Sequence, residues 1–182
     1  MLLANEKELI GRLTSPHLQE RAFRELVSLY KERLYWHIRR MVLSHDDADD
    51  VLQNTFIKVF RNINGFKGES ALYSWLYRIA TNEALTFLSE KAKKRGLSAD
   101  ELIADTAKNL QADVFFEGDE IQLKLQQAIA NLPEKQRIVF NMRYYDEVKY
   151  EDMATVLETS VGALKASYHH AVKKIEEYVT GH

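Results

Sequence analysis

The chain contains no cysteine, which excludes disulfides, thiolate zinc sites and cysteine nucleophiles. Its 182 residues include only two prolines and seven glycines, little turn material for a β fold, whereas the good helix formers Leu, Ala, Glu, Lys and Arg abound. An all-α fold is the expectation. No apolar run approaches the roughly 20 residues of a membrane span. The opening MLLANEKELIGRL also lacks the basic region, apolar stretch and cleavage site of a signal peptide. No membrane insertion is expected, and the cytoplasm is the expected location. No phosphate loop, no HExxH pair and no aspartate cluster with a matched histidine occurs, so the sequence offers no catalytic constellation, metal site or cofactor site.

The net charge of −2 is uninformative until it is divided. Residues 1–95 carry 16 basic and 12 acidic side chains, a balance of +4; residues 96–120 carry 1 and 7, a balance of −6; residues 121–182 carry 8 of each. The pattern predicts a helical N-terminal block over 1–95, an acidic flexible connector over 96–119 and a second helical block over 120–182. Val114, Phe115 and Phe116 form the connector's one apolar cluster.

In the first block the spacing predicts a short helix over 5–14 and a longer one over 18–43. Leu18, Phe23, Leu26, Val27, Tyr30, Leu34, Ile38 and Val42 form the buried stripe of the longer helix. His37 and His45 have no partner at metal spacing and read as packed or surface histidines. The stretch SHDDADD starts a third helix over 47–62, with Ser44 or Asp46 as its cap. On that helix Leu52, Phe56, Val59, Phe60 and Ile63 share one side, and Asp50, Gln53, Asn54 and Arg61 share the other. Ile57 lies among the polar set, as the centre of a protein-docking patch would.

Next comes INGFKGESALYSWLYRIATN, residues 63–82. Gly65 and Gly68 relax the backbone around Phe66 and Lys67, and Glu69 and Ser70 complete the loop. The helix from Leu72 to about Ala92 puts Ser74, Arg78, Thr81 and Asn82 on its polar side, with Trp75 at the border. An aromatic loop beside an arginine and an amide has the composition for holding unstacked bases of a single strand. Lys91, Lys93, Lys94 and Arg95 before Gly96 compensate the helix dipole or attract phosphate.

The second block predicts helices over 120–131 and 133–145, then a short helix at 150–157, the turn Glu158-Thr159-Ser160, and a helix over 161–179 capped by Ser160. That is a helix-turn-helix pattern, with Ala154 permitting close helix crossing. On the last helix Val161, Leu164, Tyr168, Ala171, Val172 and Ile175 face inward. Gly162, Ala163, Ala166, His169, His170 and Lys173 face out, with Lys165 and Ser167 on the flanks, a surface suited to a major groove.

Two stretches then carry a family resemblance. DDADDVLQNTFIKVFRNINGFKGESALYSWLYRIATNEAL is similar to the second conserved region of bacterial sigma factors, and LPEKQRIVFNMRYYDEVKYEDMATVLETSVGALKASYHHAVKKI resembles their fourth region. The whole chain resembles a two-domain extracytoplasmic-function sigma factor, and the resemblance implies core RNA polymerase and promoter DNA as partners, with no catalysis by the chain itself. Asp50, Gln53, Asn54, Ile57 and Arg61 match the face that docks on polymerase, Asn54 replacing a frequent acidic residue. Phe66 to Ala71 match the loop that captures a flipped non-template base of the minus-ten element, and Asn82 matches an amide of that recognition region. Lys165, Ser167, His169, His170 and Lys173 fall where the family reads the duplex minus-thirty-five element. Glu158 stands where a turn glycine is common, Ala163 where threonine is common, and histidines where arginines often lie. Family members often have an anti-sigma factor as a further partner. A stand-alone helix-turn-helix regulator is the alternative reading, but a duplex-only reader has no use for an exposed aromatic loop near Asn82.

Overall fold

The computed structural model describes residues 4–113 and 118–181, and every regular element within them is helical. In chain order these are α1 (Ala4–Leu13), α2 (Gln19–Val42), α3 (His45–Asn62), α4 (Leu72–Lys94), α5 (Ala99–Lys108), α6 (Glu120–Ala130), α7 (Glu134–Tyr144), α8 (Tyr150–Leu157) and α9 (Val161–Thr180). Short 3₁₀ turns follow α3 at Ile63–Gly65 and α5 at Leu110–Ala112.

Local chemistry explains the boundaries. The Ser44 hydroxyl accepts from the Asp47 N–H at 3.4 Å, opening α3, and the Ser160 hydroxyl accepts from the Ala163 N–H at 3.2 Å, opening α9. Pro133 sits one position ahead of α7 as its cap, rather than inside its first turn. α4 closes on Gly96 at φ +67, a left-handed conformation that glycine adopts without a Cβ clash. Its basic last turn also ties helices together, because Lys91 bonds Asp47 of the α3 first turn.

The core of α1–α4 draws on much of the expected apolar stripes and adds Val51 and Tyr77, which those stripes did not include. Leu26, Leu34, Ile38 and Val42 of α2 are buried with Val51, Phe56 and Val59 of α3 and with Leu72, Leu76, Tyr77 and Ala80 of α4. Leu18 departs from its expected stripe. It precedes α2 as a cap and is 47% exposed, because the helix begins only at Gln19. The second block has its own smaller apolar cluster, in which Ile129, Leu132 and Phe140 meet Ala171 and Ile175 of α9.

Two features depart from the expected layout. The connector is not a plain tether: Ser98 and Glu101 form a reciprocal capping box, and the α5 they open buries Leu102, Ile103 and Ala107. α5 packs on both α4 and α6, so it bridges the two blocks. The Val114-Phe115-Phe116 cluster lies outside the described residues. In addition, Ile138, Val139, Met142, Val148, Met153, Val156 and Leu164 of the second block join the apolar cluster of α1–α4, so the two blocks share one continuous core.

Candidate nucleic-acid interface

The face expected to dock lies on α3. Its buried stripe fixes the helix against α2 and α4, which leaves Asp50, Gln53, Asn54, Ile57 and Arg61 all exposed. None of the five bonds another side chain among the described residues. Ile57 is 49% exposed in the middle of this polar set, where a core does not require it. Phe60 is also more open than its stripe suggests, though its ring packs edge-on against Phe23 at 5.0 Å.

The loop that follows is held at both ends. The 3₁₀ turn ends with the Phe66 N–H donating to the Ile63 carbonyl at 3.1 Å. At the other end the Leu72 N–H donates to a Glu6 carboxylate oxygen at 2.5 Å, so a side chain of α1 caps α4. Of the two loop glycines, Gly68 takes a left-handed φ of +71, whereas Gly65 does not need its conformational freedom. Phe66 is half-buried with its ring 5.2 Å from that of Trp75, while Lys67 and Glu69 are exposed and Ser70 is half-buried. Trp75 is therefore the floor beneath Phe66 and part of the packing. Trp75, Arg78 and Asn82 follow one another at i, i+3 and i+7, which aligns them on one face over about 10 Å of helix axis. Asn82 is exposed.

Three residues of the expected polar side of α4 are engaged within the chain, among them Thr81, which is 1% exposed and bonded to His37. Arg78 forms an ion pair with Glu158 at the end of α8. Ser74, expected on the exposed polar side, is 1% exposed on a helix packed against α8. In this conformation Ser74 is a packing residue and cannot reach a DNA strand.

Beneath the same face lies a polar cluster that periodicity could not foresee. His37 is 1% exposed, with one ring nitrogen 2.8 Å from the Thr81 hydroxyl and the other 3.2 Å from Asp146. Asp146 also accepts from Arg40 at 2.7 Å. Arg33 donates to the Tyr77 hydroxyl at 3.1 Å and lies over the rings of Tyr73 and Tyr77. Tyr73 donates to Asp152 of α8. Burial pushes the Tyr77 phenol up to about 12. The Tyr73 phenol also rises to about 12, chiefly through burial and then through its bond to Asp152.

The helix-turn-helix consists of α8, the turn Glu158-Thr159-Ser160 and α9. Glu158 adopts φ 51 and ψ 46, the left-handed region that glycine favours. α9 is anchored from below by Leu164, Ala171 and Ile175, and by Tyr168 stacked 5.8 Å from Phe140. Lys165, His169, His170 and Lys173 are exposed along its outer side and Ser167 is half-buried. Lys165 lies 5.8 Å from the ring of Tyr150.

Comparison with known proteins matches this arrangement. Residues 26–95 match the sigma-70 region 2 family and residues 122–175 match sigma-70 region 4. The chain is 33% identical to the RNA polymerase sigma-H factor of Pseudomonas aeruginosa, covering 87% of this chain and 86% of the relative. It is 32% identical to the ECF RNA polymerase sigma-E factor of Haemophilus influenzae, with 88% of each chain covered. The chain belongs to the sigma-70 family, in its extracytoplasmic-function (ECF) group. Among solved structures its fold resembles CnrH in complex with the cytosolic domain of CnrY, with a TM-score of 0.70, 21% identity and 97% of each chain covered. It also resembles the sigma factor RpoE bound to the anti-sigma factor NepR from Bartonella quintana, with a TM-score of 0.67, 20% identity and coverage of 87% of this chain and 96% of that one. No helix among the described residues is long and apolar enough to cross a membrane.

Proposed function

We propose that the chain is a promoter-specificity subunit of RNA polymerase, working in the cytoplasm where core polymerase works and catalysing no reaction itself. Residues 1–95 dock on core polymerase through Asp50, Gln53, Asn54, Ile57 and Arg61. They also hold the unstacked non-template strand of the minus-ten element through the loop Phe66 to Ser70, with Arg78 and Asn82. Residues 120–182 read the duplex minus-thirty-five element with Lys165, Ser167, His169, His170 and Lys173. Residues 96–119 connect the two. An anti-sigma factor is a further proposed partner, since the chain has the fold of the sigma factor RpoE, whose structure was solved with one.

The observation that carries the reading is the order of parts on one chain: an uncovered docking helix, an aromatic loop at its end, and a capped helix-turn-helix beyond a connector. Flipping a base out of the stack costs a few kcal/mol. Stacking it on an aromatic such as Phe66 returns roughly 1–3 kcal/mol. The balance makes melting dependent on additional polymerase contacts, which is the division of labour expected of a subunit rather than a lone DNA binder. A stand-alone duplex regulator would leave the exposed α3 face and the Phe66 loop without a task.

In vitro transcription with core polymerase and a random promoter library tests the reading. Selective transcripts starting downstream of a shared pair of elements are expected. Transcription no different from core polymerase alone would overturn it. Phe66→Ala combined with Asn82→Ala should abolish promoter opening while polymerase binding persists.

A further inference from the structure

α4 takes its cap from another helix. α3, α5, α6 and α9 each open on a side chain at their own N-cap position, Ser44, Ser98, Asp119 and Ser160 respectively. At the start of α4 that position is Ala71, which offers no side-chain acceptor, and the first turn has no acidic residue of its own to meet the helix dipole. Glu6 of α1 supplies both from 66 residues away, its carboxylate accepting from the Leu72 N–H. Leu72 is fully buried, so its N–H depends on that carboxylate where water cannot substitute.

α1 is anchored firmly enough to hold this bond. Leu9 and Leu13 are buried in the core of the first block, and Gln19 donates to the Leu13 carbonyl at 2.9 Å. The Arg12 guanidinium donates to both oxygens of Glu25 on α2, at 2.6 and 3.0 Å. What Glu6 grips is the exit of the loop assigned to the flipped base. Trp75, the floor 5.2 Å beneath Phe66, is three residues past Leu72, and its N–H reaches the Ala71 carbonyl at 3.3 Å. Fraying of this turn would move the floor away from Phe66.

We infer that Glu6 is a positioning residue for promoter opening: by capping α4 it holds the exit of the Phe66 loop and the Trp75 floor in the geometry that receives the unstacked base. The inference rests on the sigma-factor reading and extends it to α1, which lies outside residues 26–95 that match region 2. α1 acts here through α4, without touching the DNA. Because the bond orders the site before the strand arrives, it raises the fraction of chains ready to take the base, and the apparent affinity for the melted strand rises with that fraction.

The test uses holoenzyme assembled from core polymerase and the full-length chain, on a promoter recovered from the random library, with 2-aminopurine in the melted stretch reporting opening by fluorescence. Glu6→Ala should lower the opening equilibrium constant roughly fivefold, the size of a lost helix cap. Affinity for core polymerase and for the closed promoter duplex should stay within twofold of wild type. Glu6→Gln keeps an acceptor without the charge and should fall between wild type and Glu6→Ala. Ala71 already has the extended ψ of 144 that an N-cap residue takes. Adding Ala71→Ser to Glu6→Ala therefore gives α4 a cap of its own and should recover most of the lost opening. Glu8→Ala removes an exposed carboxylate of α1 that makes no bond to α4 among the described residues, and should open promoters as wild type does. Opening by Glu6→Ala within twofold of wild type, with helicity intact by circular dichroism, would overturn the inference. So would a loss that Ala71→Ser leaves uncorrected, or one matched by an equal loss of polymerase affinity, since either would reduce Glu6 to holding the first block together. If Glu6→Ala fails to fold, Glu6→Gln with and without Ala71→Ser makes the same comparison. Failure of the underlying reading looks different, since the wild-type chain would then give no promoter-dependent transcription with core polymerase.

Discussion

Replacing Ile57 with aspartate isolates polymerase docking from folding. Burying an isoleucine side chain fully contributes about 1.5–3 kcal/mol relative to leaving it exposed. Ile57 is 49% exposed in the free chain, so about half of that, roughly 0.7–1.5 kcal/mol, is still to be gained when a partner covers it. Aspartate forfeits this gain and puts a carboxylate into the contact, adding a desolvation cost of roughly 1–3 kcal/mol when a partner covers it. Arg61, four residues on, returns only about 0.2–0.5 kcal/mol on the helix surface. The net expectation is ~2–3 kcal/mol, a loss of roughly 30- to 150-fold in affinity for core polymerase. Ile57→Ala removes only the apolar contribution, about 1 kcal/mol or fivefold. Competition against a fluorescently labelled wild-type chain for a fixed amount of core polymerase measures both variants. Far-UV circular dichroism and urea midpoints should stay near wild type, because the buried stripe of α3 is untouched. Binding of Ile57→Asp within twofold of wild type would refute the assignment of this face.

Four further outcomes follow from the same structure. His37→Ala removes a buried ring bonded to Thr81 and Asp146, and should cost about 2–4 kcal/mol in urea unfolding through the cavity and the unmatched polar partners. Tyr77 has a folded pKa raised to about 12 against an ordinary 10; its contribution is fully present below pH 10 and is lost as pH climbs toward 12, by about 2–3 kcal/mol. Urea midpoints across that window should fall less steeply in Tyr77→Phe, with Tyr73 still titrating there. Ser160→Ala removes the α9 cap and should lower stability by about 1 kcal/mol, read from the urea midpoint. Lys165→Ala and His169→Ala should each cost roughly 1–3 kcal/mol at particular promoter positions if they read base edges; an equal loss on every sequence in competition binding would make them phosphate contacts.

Much of the fold was legible because it is written locally. The breaks at Ser15-Pro16, Gly96 and Leu132-Pro133, the serine caps of α3 and α9, and the three-to-four-residue spacing of apolar side chains need only neighbours within a few turns. The connector could have been read the same way. Ser98-Ala99-Asp100-Glu101 has the spacing of a capping box, and Leu102 and Ile103 follow it at once, yet the acidity of the stretch concealed a helix that buries three residues. Ile57 was legible as a misplaced apolar residue because helical periodicity alone puts it among polar neighbours.

Other features had no sequence signal. Glu6 capping α4 and His37 joining Thr81 to Asp146 depend on partners from 44 to 109 residues away, and Ser74 sinks from the polar side of α4 into the packed interior. The sequence by itself determined the helices, their order, their caps and the residue types offered at each surface, since each depends on contacts between near neighbours in the chain. Only the tertiary structure decided which surfaces stay open. Whether Arg78 faces solvent or Glu158, and whether α4 presents its hydrogen-bonding groups or buries them under α8, is set by carboxylates and cations that meet only after both blocks have folded onto one shared apolar core.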